Sequence, residues 1–100
     1  MFIIRNVMHC KPGKAKEMVS RFHEFEKAVT QAGAQMKSRV MTDVSGERFW
    51  TVVSEIEVKS IEEHGKLMEK VMSDPNYNKT LGQYHDIVES GRREIFKIEE

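Results

Sequence analysis

Among the side chains in this sequence that could do chemistry, His64 has the most suggestive setting. It stands with Ile61, Leu67, Met68, Val71 and Met72 at spacings of three and four, the inner stripe of a helix. An imidazole on such a stripe, with an ordinary pKa of about 6.5, can exchange a proton with a phenol or enol near neutral pH. The competing reading is a packed histidine bonded to a backbone carbonyl. Asn6 interrupts an apolar strand-like run and needs either a protein partner or a wet cavity. Ser54 and Trp50 fall on one side of a later strand-like segment, and Tyr84 on a helical stripe. Asn6, Trp50, Ser54, His64 and Tyr84 therefore form the candidate ligand pocket, with His64 the best catalytic candidate, although aromatic residues also pack cores and interfaces without any ligand.

Other chemistries find less support. The four histidines, His9, His23, His64 and His85, show no metal-ligand spacing, so no metal site is expected. Cys10 beside His9 suggests a thiolate and base, but neighbours on a strand point to opposite faces and do not share a proton readily. Arg92-Arg93 and Lys37 with Arg39 lack interleaved aromatics and read as solvated surface. Sixteen basic residues balance sixteen acidic ones, so no net field draws the chain to nucleic acid or to an anionic membrane. One cysteine, seven methionines and an N-terminal run broken by Arg5 and Asn6 fit a cytoplasmic protein without a secretory or membrane-spanning segment.

The elements that must position these residues follow from periodicity. With 100 residues, one domain spanning the whole chain, 1–100, is expected. Phe2 to Met8 predicts a first strand ending at Lys11-Pro12-Gly13. Ala15, Met18, Val19, Phe22, Phe25, Val29 and Ala32 then predict a helix from Lys14, with Gly33 as a left-handed C-terminal cap. Two strands, roughly 35–44 and 48–58, are expected to pair antiparallel through a short Ser45-Gly46-Glu47 connection. Ser60 and Glu63 match a capping box opening a second helix, which Asp74-Pro75 interrupts. A further helical segment carrying Tyr77, Leu81, Tyr84 and Val88 is expected to stop at Gly91, before a last strand over 94–98.

The order βαββαβ predicts an α+β, ferredoxin-like fold: a four-stranded antiparallel sheet with both helices on one face. Strand one is apolar on both sides, and strand three sets Phe49, Thr51 and Val53, before turning acidic at Glu55 and Glu57, opposite Trp50, Val52, Ser54, Ile56 and Val58. A sheet wetted on one face alternates more cleanly, so a second copy is expected to cover the other face.

In Lys11-Pro12-Gly13-Lys14, in the stretch from Glu57 to His64 and in Ser73-Asp74-Pro75-Asn76-Tyr77, the chain resembles the dimeric α/β-barrel superfamily, which includes antibiotic-biosynthesis monooxygenase-like and NIPSNAP-like families. The resemblance implies two sheets packed face to face as a homodimer, and a pocket between sheet and helices in each subunit. It implies no single reaction. Where the monooxygenases of this type place asparagine, tryptophan and tyrosine, this chain has Ser54, Val58 and His64. Haem-degrading relatives share an asparagine at Asn6, seven residues before Gly13, but their tryptophan and axial histidine fall near Leu67 and Thr80, so no haem and no other cofactor is expected. The expected function is binding of a small hydrophobic or aromatic molecule. The alternatives are a cofactor-independent monooxygenase acting on a phenolic or polyketide-like compound, and a non-enzymatic interaction module.

Overall fold

In a computed structural model of the chain, which describes residues 1–33, 37–75 and 84–99, four strands and two helices follow one another as β1 (Phe2–Cys10), α1 (Ala15–Gln31), β2 (Lys37–Thr42), β3 (Thr51–Val58), α2 (Ile61–Met72) and β4 (Val88–Lys97). The strands form one antiparallel sheet in the order β2-β3-β1-β4, the ferredoxin-like arrangement that two crossovers produce. Both helices lie on the face that carries Ile4, Val52, Ser54, Ile56 and Val58, all buried. The molecule is a slab of 39 × 34 × 17 Å, thin enough for one sheet and one layer of helices.

α1 buries Met18, Phe22 and Val29 and packs chiefly on β2 and β3. Gly33 follows it at φ 89°, the left-handed conformation that glycine adopts without a Cβ penalty, and its N–H bonds the Thr30 carbonyl at 3.0 Å. α2 opens on Ser60, whose hydroxyl accepts the Glu63 N–H at 3.0 Å, and closes before Asp74-Pro75 as expected. Its stripe is narrower than the sequence suggests. His64 and Val71 are buried and Leu67 and Met68 half-buried, whereas Ile61 and Met72 at the two ends are exposed. The core divides into two clusters on this side of the sheet, one around Cys10, Met18, Phe22, Val52 and Ile87, the other around Ile4, Ile56 and Val58.

Two expectations about strand limits need correction. The β2–β3 connection is not a short turn but runs from Asp43 to Trp50. The Asp43 carboxylate accepts the Thr51 N–H at 2.9 Å, and Trp50 turns to φ 60°, so Trp50 leaves the extended conformation that the alternation pattern assigned to it. The last strand begins at Val88 rather than near 94, and Gly91 lies inside it instead of ending a helix. Gly91 pairs with Met8, where a Cβ would come within 2.7 Å of the Met8 Sδ and 3.2 Å of the Val7 carbonyl oxygen. This glycine marks a close approach between strands rather than a helix stop. Tyr84 falls in a single 3-10 turn, Tyr84–Asp86, and Val88 in β4, so neither continues a long helix; Tyr77 and Leu81 lie outside the described residues.

The other sheet face mixes apolar and charged residues. Beside Ile3, Val7 and Val53 it carries Arg5, Arg39, Glu55, Arg92 and Glu94, which alternation places there by register. Glu55 is 6% exposed because two guanidinium groups close over it: Arg5 donates to one carboxylate oxygen at 2.6 Å and Arg39 to the other at 2.8 Å. Arg5 also lies 5.3 Å above the Phe96 ring.

Candidate functional site

On the helical face, register sets Ser54 of β3, Asn6 of β1 and Arg93 of β4 side by side in one row across three strands. The rows on either side are apolar, Ile56–Ile4–Ile95 towards one end and Val52–Met8–Gly91 towards the other. Burial falls off along the polar row, from Ser54 at 3% exposure through half-buried Asn6 to exposed Arg93, and Ile95 beside Arg93 is 50% exposed. The strip therefore opens towards the β4 edge, while α1 covers the β2–β3 side.

Arg93 holds the row together: its Nε–H donates to the Asn6 Oδ1 at 3.0 Å. The asparagine thus has a protein partner for its oxygen. α2 presses His64 against the sheet side, where it is 7% exposed. Its Nδ1 is buried with no hydrogen-bond partner among the described residues. Burial, together with the positive charge of Arg93, holds the imidazole pKa below its ordinary value, so the ring is neutral near pH 7. A buried polar nitrogen left unbonded costs roughly 1–3 kcal/mol, which a ligand supplying the missing bond would recover.

Of the residues read as a pocket from the sequence, the structure sets Asn6 and Ser54 side by side in register and buries His64 on α2, within electrostatic reach of Arg93. Trp50 stays apart. It is four positions from Ser54 along the chain, roughly 13 Å of strand rise, in the loop at the far end of the sheet, where its carbonyl accepts the Cys10 N–H at 2.9 Å. The backbone of Tyr84 lies in the 3-10 turn before β4, and its side chain is outside the described residues. Arg93, read from the sequence as solvated surface together with Arg92, is the residue that the structure adds to this row. Period-two alternation alone would have parted it from Arg92, but reading Gly91 as a helix stop hid the strand that makes this visible.

The remaining titratable groups are otherwise engaged. Cys10 is buried in the core, its thiol pushed up by burial, and His9 lies on the opposite face, so the two do not form a nucleophile and base pair. His9 is 3.2 Å from the Thr51 hydroxyl through Nδ1 and accepts from Arg92 at Nε2, also at 3.2 Å. Its pKa is lowered by burial and by Arg48 and Arg92. A depression of about 390 Å³ on this open face is lined by Arg5, His9, Thr51, Glu55, Arg92 and others, and within it Arg5 pairs with Glu55 and Arg92 with Glu94 and His9. His23 pairs with Glu26 on the solvated side of α1. Among the described residues no group of three or more His, Cys, Asp or Glu side chains is placed to hold a metal. Nor is any described helix long and apolar enough to cross a membrane.

Comparison with solved structures decides the fold. A NIPSNAP-domain protein from Burkholderia xenovorans superposes with a TM-score of 0.82 over 99% of this chain and 95% of its own, at 16% identity. The chain shares the NIPSNAP-domain fold. A NIPSNAP family protein from Agrobacterium tumefaciens follows with a TM-score of 0.79 over 96% of this chain and 90% of its own, at 13% identity. An antibiotic biosynthesis monooxygenase matches along the full length of both chains with a TM-score of 0.71 at 9% identity. No protein-family model matches the sequence, and no curated protein matches it. At these identities the NIPSNAP likeness speaks for the shape of the chain alone, and the chemistry rests on the residues of the polar row and on His64.

Proposed function

We propose that this chain is a cytoplasmic small-molecule-binding protein that works as a homodimer and takes an apolar or aromatic ligand in the cleft over Asn6, Ser54 and His64. The observation that carries this is the buried, unbonded Nδ1 of His64 beside a polar row set between apolar ones. Trp50, which the loop after β2 carries to the far end of the sheet, is not part of this proposal. Ser54 and His64 stand where the monooxygenase-like proteins have other residues, so binding is favoured over oxygenation.

A neutral fluorescent probe, N-phenyl-naphthylamine, tests the site. It should bind at one equivalent per chain and shift the imidazole nitrogen resonances of His64. Because the folded His64 pKa is depressed, protonation begins only below about 6.5, and it places a charge in the cleft. Probe affinity should therefore fall as pH drops below that value. In His64→Gln the profile between about pH 5.5 and 8 should be flat, and in His9→Gln it should be unchanged. Equal profiles in wild type and His64→Gln would reduce the residue to packing.

Dimerisation is proposed through the open sheet face. Phe96 is 47% and Met41 36% exposed there, and Arg and Glu side chains lie on the same surface, so a two-fold axis can set opposite charges against each other. Sedimentation equilibrium at micromolar concentration should give twice the chain mass; the monomer mass would rule the dimer out.

A further inference from the structure

The loop between β2 and β3 is fastened to the open face by a run of hydrogen bonds that begins on β4. The Arg92 guanidinium donates to His9 Nε2 at 3.2 Å, and His9 Nδ1 lies 3.2 Å from the Thr51 hydroxyl. That hydroxyl gives its own proton to the Arg48 carbonyl in the loop, at 2.9 Å. The two ends fix the direction of the run. A guanidinium only donates, so Nε2 is the bare, accepting nitrogen, and a hydroxyl whose proton is spent accepts from Nδ1–H. His9 is thus a neutral imidazole with its proton on Nδ1. The Arg48 guanidinium adds two ties from the loop to β4, to Glu89 and to Ser90, both at 3.3 Å.

Neighbouring elements face the half-buried ring from each side. Thr51 stands opposite it on β3, and Ser90 on β4, where Arg92 reaches across. The loop brings Asp43, Glu47 and Arg48 to the rim of the same depression, and Glu94 beside Arg92 borders it from β4. A proton added to the ring goes to Nε2, where it meets the Arg92 N–H; the bond is lost and two cations stand in contact. Burial, then Arg48 and Arg92, hold the His9 pKa below its ordinary value, with Glu47 opposing them. Trp50, at φ 60°, is a strained end to the loop that opening relieves.

We infer that His9 is an acid-sensitive latch on the β2–β3 loop: neutral, it completes the run from Arg92 to the Arg48 carbonyl, and protonated, it breaks that run at Arg92 and frees the loop from the depression it borders. This stands apart from the ligand-binding reading. Opening returns the ring to its ordinary pKa of about 6.5, above the folded value, so opening takes up a proton once pH falls below about 6.5. Above that pH the latch is insensitive to pH, and below it the open fraction grows by up to about tenfold per pH unit.

Amide hydrogen exchange followed by NMR between about pH 5 and 8, corrected for the intrinsic exchange rate, tests the latch. The Thr51 N–H bonds the Asp43 carboxylate at 2.9 Å and the Asp43 N–H the Thr51 carbonyl at 3.2 Å, so both report on the base of the loop. Their protection should fall by up to about tenfold per pH unit below about 6.5, while amides in the middle of β1 keep theirs. The fall should vanish in His9→Gln and shrink in Arg92→Gln, which keeps a donor but loses the charge. At pH 8 the His9 ring nitrogens should show the Nδ1–H tautomer. Constant protection in the wild type, the same fall in His9→Gln, an Arg92→Gln profile equal to that of the wild type, or an Nε2–H tautomer would each overturn the latch.

Discussion

Ile4→Ala is expected to lower the free energy of unfolding by about 3 kcal/mol, since large-to-small changes at fully buried isoleucines cost about 2–5 kcal/mol. Ile4 is 1% exposed and sits at the centre of the smaller core cluster, between Ile56 and Ile95 in register and against Phe2 and Phe25. The central strand cannot move to fill the void, because it is bonded to neighbours on both sides. Against a typical total of about 5–15 kcal/mol, such a loss is a large share of stability. Urea unfolding should show a lower midpoint with an unchanged slope. A loss below about 1 kcal/mol would mean that the cluster collapses freely around the missing atoms.

Glu55→Ala is expected to cost about 2 kcal/mol by a different route. The carboxylate is nearly buried, and removing it leaves Arg39 beside Arg5 without its carboxylate, and Arg5 with only the more distant Glu94 at 3.9 Å. The figure lies below that for a fully buried pair because the arginines are 38% and 68% exposed. Hydrogen bonds from Arg39 hold the Glu55 pKa below the ordinary carboxylate range, helped by Arg5 and opposed by burial. A group with a depressed folded pKa stabilises fully above its unfolded value, about 4.3, and loses that contribution as pH falls through the folded value. The difference between wild type and Glu55→Ala should therefore be full at neutral pH and close progressively in acid. A difference that persists undiminished at low pH would show that Glu55 acts through packing rather than charge.

Much of the architecture is legible in the sequence because single residues carry it locally. Gly33 and Ser60 fix the end of one helix and the start of the other with their own backbone and hydroxyl groups. The alternation Val52, Ser54, Ile56, Val58 settles which face of β3 meets the helices. The start of β4 was not legible, because glycine serves both as a helix stop and as a residue that lets strands approach, and only the partner Met8 tells the two apart. That Glu55 is nearly buried was not legible either, because the groups that enclose it, Arg5 and Arg39, stand fifty and sixteen positions away.

In the candidate site, Asn6 and His64 could be found because each is polar where its element is apolar. Arg93 could not, since a charged residue on an edge strand is unremarkable until register sets it beside Asn6.

Trp50, the sole tryptophan, is 43% exposed in a left-handed turn at one end of the sheet, away from the cluster around Ile4. Its emission therefore reports on the solvent and neighbours of a single rim, where Phe49 stands 86% exposed beside it. A red shift that precedes the loss of circular dichroism would record release of the Asp43–Thr51 clasp ahead of the strands beyond it. The interval between the two signals thus measures how independently the rim comes loose, and coincident signals mean that it does not.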